Sequence, residues 1–112
     1  LIKDMPQALD YVIIEADGAK HHSLKYPAAD EPVIYPGTTD VIIVLGTWEK
    51  GRSCKDVVFR YELMQKELGT AEDAVVDDSV IDTLRQVYVR KLRDRGFEGR
   101  VSCVFANERG WF

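Results

Sequence analysis

Glu15 and Asp17, in the run Glu15-Ala16-Asp17-Gly18-Ala19-Lys20, are the residues of this chain best suited to do chemistry. They follow directly on the apolar Tyr11-Val12-Ile13-Ile14, so two carboxylates stand where a buried strand comes to the surface. A strand that ends in an acid holds it rigidly. A carboxylate so placed can carry a magnesium ion, directly or through its water, beside a set of phosphates. Gly18 allows the backbone to turn sharply or to approach a ligand closely. Four apolar residues followed by Glu also occur in many α/β proteins whose acid simply meets solvent, and both readings stand at this point.

The segment that follows adds to the chemical reading. From Ala16 to Thr39 no helical pattern appears, although a crossover between parallel strands usually carries a helix. Loops of that length inside a small domain are uncommon and usually functional. This one holds Lys20, His21, His22, Lys25, Asp30 and Glu31, stiffened by Pro27, Pro32 and Pro36. Lys20 and Lys25 are candidate phosphate contacts, although either alone also reads as a surface lysine. The adjacent histidines lack a third ligand and read better as solvated side chains than as a metal site. Arg60, beside Phe59 on the first helical stripe, is a candidate to reach a phosphate or to pair with the loop acids, although it reads better as a helix-surface arginine. Asn107-Glu108-Arg109-Gly110 has the Asn of a guanine-reading Asn-Lys-x-Asp motif but neither its Lys nor its Asp, and reads as a strand-ending turn.

These residues need strands and helices to position them. Tyr11–Ile14, Val41–Leu45 and Val101–Ala106 are short, β-rich and largely unalternating. Such runs are expected to be strands of a parallel sheet covered on both faces. Between the second and third lie two helical stripes. Val57, Tyr61, Met64 and Leu68 form one, stopped by Gly69. Val80, Leu84, Val87, Tyr88 and Leu92 form the other, with Ser79 and Asp82 resembling a capping box. Arg90, Lys91, Arg93 and Arg95 load the end of that second helix, where the macrodipole favours cations. The order strand, long loop, strand, two helices, strand predicts a doubly wound α/β fold in a single domain spanning 1–112. Ligands of such sheets gather beyond the carboxyl ends of the strands, where Glu15, Asp17 and Gly46-Thr47 fall.

Composition narrows the partners. The 112 residues carry a net charge of -4, which disfavours non-specific binding to nucleic acid or to an anionic membrane. No apolar run is long enough to span a bilayer. Cys54 and Cys103 read as buried free thiols, in keeping with a reducing cytoplasm. Three strands are few for this architecture, and their bare apolar edges favour self-association. The start at Leu1 and the end at Trp111-Phe112 read as the limits of a piece of a longer protein.

Glu15–Lys20, then Leu24-Lys25-x-Pro27, Glu31-Pro32-Val33-Ile34-x-Pro36, Thr39-Asp40 and an apolar strand ending in Gly46 resemble the selenium-dependent hydroxylase accessory proteins of the YqeC type. The resemblance is dense over Asp10–Gly46 and looser through Phe59-Arg60, where the family tends to show His-Arg. It implies a three-layer α/β/α domain with a mostly parallel sheet of the P-loop NTPase type, incomplete here at about three strands. The family's Gly-rich phosphate-binding loop, with its Lys-Ser/Thr, lies upstream of the Glu15 strand and has no counterpart in this chain. Carried over by residue, the resemblance implies Glu15 and Asp17 at the magnesium and catalytic end, with Gly18, Lys20, Lys25, Glu31 and Arg60 toward nucleotide or substrate. The expected function is Mg2+-dependent binding of ATP or GTP in maturation, or cofactor handling, of a selenium-dependent molybdenum hydroxylase. The present chain, lacking the phosphate loop, is expected to be inactive by itself. The competing expectation is a non-catalytic module whose 16–39 loop docks a client protein. A metallohydrolase built on His21, His22, Glu15 and Asp17 is the weakest reading, since nothing in their spacing converges them.

Overall fold

A computed structural model describes residues 24–107. The strand expected over Tyr11–Ile14 therefore lies outside the described residues, as do Glu15, Asp17, Gly18, Lys20, His21 and His22. The elements in order are β1 (Leu24–Lys25), β2 (Asp40–Gly46), α1 (Cys54–Val57), β3 (Val58–Phe59), α2 (Tyr61–Leu68), α3 (Asp78–Asp94) and β4 (Arg100–Ala106). The result is a small α/β arrangement whose strand pairs are both parallel: β1 with β3, and β2 with β4.

The second and third expected strands become β2 and β4. They pair in register from Asp40 opposite Arg100 to Gly46 opposite Ala106. Their coverage differs from expectation. Ile43 and Leu45 are buried on the face that meets the helices, whereas Ile42 is 64% exposed and Val44 and Val104 are nearly half exposed. Side chains alternate across a pleated strand, so one helical layer buries one row only. Unbroken apolarity therefore marks both faces of β2 as apolar, while the described residues cover one.

The first helical stripe is broken into two. The Val57, Tyr61, Met64, Leu68 spacing holds, but α1 stops at Val57, β3 runs for two residues, and Arg60 takes a left-handed conformation (φ 68, ψ 38) before α2 begins. Val58-Phe59 are β-formers, and the partner strand Leu24–Lys25 offers them backbone hydrogen bonds that a continuous helix would forgo. That partner corrects a second expectation, because the long loop contains this short strand. Gly69, at φ 69, ends α2 as expected.

The second stripe becomes α3, with Ile81, Leu84, Val87, Tyr88 and Leu92 buried. Its cap is Asp77, whose Oδ1 accepts from Val80 N at 2.8 Å, and not Ser79, which lies inside the first turn. Asp77 precedes the first hydrogen-bonded turn by the right interval, so its carboxylate meets an otherwise unsatisfied N–H. Asp82, the other half of the expected capping box, accepts instead from Arg85 and Gln86 on its own helix.

The core joins α3 to Ile43 and Leu45 of β2, then to Leu24, Tyr26, Val57, Val58, Tyr61 and Met64. Cys54 and Cys103 are free thiols, the first fully buried. No helix among the described residues is long and apolar enough to cross a membrane.

Candidate functional site

Three residues singled out by sequence, Lys25, Glu31 and Arg60, come together. The parallel pairing places Lys25 opposite Phe59, and the left-handed Arg60 follows at once, so lysine and guanidinium flank one ring. Glu31 is returned to them by a tight turn. Its N–H donates to Ala28 O at 3.1 Å, and Ala28 N donates back to Glu31 Oε1 at 3.0 Å. Lys25 Nζ then donates to Oε2 at 2.8 Å, while Arg60 Nε and one terminal nitrogen reach Oε1 and Oε2 at 3.1 and 3.3 Å. The Phe59 ring underlies both cations, its centroid 5.5 Å from Lys25 Nζ and 5.0 Å from the Arg60 guanidinium carbon. Such contacts add to the hold on each cation.

Burial divides the cluster unevenly. The Lys25 side chain is 5% exposed, that of Glu31 19% and that of Arg60 39%. Burial alone would raise the Glu31 pKa. The hydrogen bonds from Lys25, Ala28 N and Arg60 override it and bring the carboxyl down from 4.5 to about 2. Glu31 is thus an anion throughout the physiological range, held by two cations and a backbone amide.

A second polar network braces the same loop from below. Tyr26, fully buried, donates its hydroxyl to Glu67 Oε1 at 2.8 Å. Lys91 Nζ lies 3.0 Å from the same carboxylate oxygen, donates to Pro27 O at 2.8 Å, and stands 4.7 Å over the Tyr26 ring. Burial, with the Glu67 hydrogen bond, pushes the Tyr26 hydroxyl up to about 12. Arg95 reaches Pro32 O at 2.8 Å, and Arg93 caps Phe97 O and Gly99 O. The cationic end of α3 is therefore spent largely on backbone carbonyls.

Two pockets adjoin the loop. One, of about 510 Å³, lies between the 34–38 turn and the 95–99 turn. The other, of about 360 Å³, is at the β3–α2 junction and includes Lys55, Phe59, Arg60 and Glu62. At the carboxyl end of the strand pair, Thr47 N and Oγ1 donate to Ala106 O at 2.7 and 3.2 Å, so Gly46-Thr47 and Ala106-Asn107 form one edge. Among the described residues no three His, Cys, Asp or Glu side chains gather as a metal site.

Sequence reasoning anticipated that Arg60 could pair with the loop acids, and it does so with Glu31. It missed Phe59 as the platform between two cations, and the Tyr26–Glu67–Lys91 network altogether. The first was signalled only by the Phe-Arg dipeptide. The second joins Tyr26 to Glu67 across 41 positions and Lys91 to Pro27 across 64, which no local pattern reveals.

A family model described as YqeC protein matches residues 1–62, more than half of the chain. The matched span takes in the 15–20 segment, the whole loop, β1, β2 and all three residues of the Lys25–Glu31–Arg60 cluster. No curated protein and no solved structure matches the chain.

Proposed function

The chain belongs to the YqeC family, and on that premise we propose that it is a Mg2+-dependent nucleotide-binding accessory protein of the ATP or GTP type, serving maturation or cofactor handling of a selenium-dependent molybdenum hydroxylase. One observation supports this reading above the others. The span that matches the family contains both the Glu15 and Asp17 carboxylates and the charged cluster that fastens the loop following them. A magnesium ion bound there supplies charge neutralisation beside the phosphates. Hard carboxylate oxygens suit that ion, and Glu15 and Asp17 would hold it. Gly18 and Lys20 lie next along the chain toward the nucleotide. Lys25, Glu31 and Arg60 set the position of the loop and, through Arg60, offer a cationic contact. The associated reaction is nucleotide hydrolysis or a nucleotide-handling transfer, in the cytoplasm.

The finer fold assignment is part of the same proposal: a three-layer α/β/α domain of the P-loop NTPase type. The parallel β2–β4 pair with α3 on one face supports it. The apolar outer row of Ile42, Val44 and Val104 is where a second helical layer would lie.

Isothermal titration with ATP and GTP in Mg2+, on the protein that carries this segment, tests the reading. Alanine at Glu15 or Asp17 is expected to abolish binding while leaving the melting temperature nearly unchanged. The reverse ranking, a lower melting temperature with nucleotide binding intact, would instead favour a docking module whose 16–39 loop meets a client. That second reading draws on the exposed Val33 and Tyr35, two large apolar side chains that the loop leaves at the surface.

A further inference from the structure

The pocket at the β3–α2 junction has the chemistry of an anion subsite. It is an open depression with a volume of about 360 Å³. Two cations line it, Lys55 and Arg60, against one acid, Glu62, around the Phe59 ring. Lys55 is exposed and makes no ion pair among the described residues. Arg60 is engaged, but on one side only, by the Glu31 carboxylate.

The partners of Glu31 differ in what they can release. Lys25 is buried and closes the shortest bond in the cluster, and Ala28 N is backbone within the same turn. Arg60 is the most exposed partner and makes the longest bonds, at 3.1 and 3.3 Å. Its planar fork already receives two oxygens side by side, which is the arrangement a phosphate presents as well as a carboxylate. Should Arg60 turn away, Glu31 keeps Lys25 and Ala28 N and remains satisfied. Phe59 stays beneath the guanidinium and limits where it can go.

We infer that this pocket is a subsite for a phosphate-class oxyanion, which Arg60 takes up by exchanging its contacts with Glu31. Glu31 is then the internal occupant of the arginine fork, and the external anion competes with it while Lys55 adds a second cationic contact. The inference deepens the nucleotide reading and rests on it for the identity of the ligand, whereas the pocket and the cluster carry the subsite itself.

Titration of the protein with pyrophosphate in Mg2+-free buffer, followed by amide and arginine Nε resonances, tests it. Shifts are expected at Lys55, at Phe59–Glu62 and at Arg60 Nε, and acetate at equal ionic strength should leave them unmoved. Glu31→Gln, which removes the competitor, should tighten pyrophosphate binding at least threefold. Arg60→Gly, which suits the left-handed backbone and so preserves the turn, should weaken it at least tenfold. Shifts spread evenly over the surface, an acetate response equal to that of pyrophosphate, or no tightening in Glu31→Gln would each overturn the subsite. These outcomes are separable from those at Glu15 and Asp17. A lost subsite with Mg2+-dependent nucleotide binding intact refutes only this inference. Pyrophosphate shifts at Arg60 without any Mg2+-dependent nucleotide binding refute the nucleotide reading and leave the subsite standing.

Discussion

Replacing Glu31 by glutamine keeps the shape of the side chain and removes its charge, so it isolates the electrostatic part of the cluster. Oε1 still accepts from Ala28 N, but the buried ammonium of Lys25 loses its carboxylate. Breaking a buried pair by removing one partner costs roughly 3–5 kcal/mol. The carboxyl shift from 4.5 to about 2 sets a similar scale, about 3 kcal/mol at roughly 1.4 kcal/mol per unit. The Arg60 share is open to solvent and worth little, so a loss of about 2 kcal/mol near pH 7 is expected, or roughly 8–16 °C in Tm for a domain of this size. The sign follows from the direction of the shift. A folded-state pKa held below the unfolded one contributes stability that is fully present above pH 4.5 and lost as pH falls toward 2. Urea unfolding of both proteins between pH 3 and pH 8 measures it, and their difference should shrink toward the acid end. Adding Lys25→Met to Glu31→Gln should recover part of the loss, because the buried ammonium that the Glu31 carboxylate offsets is then removed as well. A difference that does not change with pH, or a double variant no more stable than the single one, would refute the reasoning.

Three further outcomes are expected. The Tyr26 hydroxyl should titrate near 12, and not near 10, in ultraviolet absorbance; the raised folded-state value means that its stability contribution is complete below pH 10 and fades as pH rises through 12. Tyr26→Phe should cost about 1–2 kcal/mol in urea unfolding, since it removes one hydrogen bond from a partly buried carboxylate. Gly99→Ala should lower stability by about 2 kcal/mol or more, because a Cβ there would press on the Thr39 carbonyl and stand 2.5 Å from Phe97 Cζ. That carbonyl accepts from Arg100 N at the mouth of the β2–β4 pair, so the loss should appear as faster amide exchange along β4.

By itself, the sequence determined the elements whose cause is local. The β-rich runs at 40–46 and 100–106 and the 3.6-residue stripe of α3 were legible because propensity and periodicity act within a few residues, and so was the glycine stop after Leu68. The family was legible too, because the loop carries its motif in contiguous residues. What only the tertiary structure decided depends on residues far apart in the chain. Leu24–Lys25 becomes a strand because Val58-Phe59 offers it a parallel partner, and that same pairing cuts the expected helix over 57–68 in two. Asp77, and not Ser79, caps α3 because the cap goes to whichever side chain precedes the first hydrogen-bonded turn, and tertiary packing sets where that turn begins. Lys25, Glu31 and Arg60 were each visible as charged residues, but their convergence on one carboxylate is a property of the fold. Charge–charge and hydrogen-bond energies depend on distances of about 3 Å, and positions 25, 31 and 60 acquire such distances only when β1 and β3 pair.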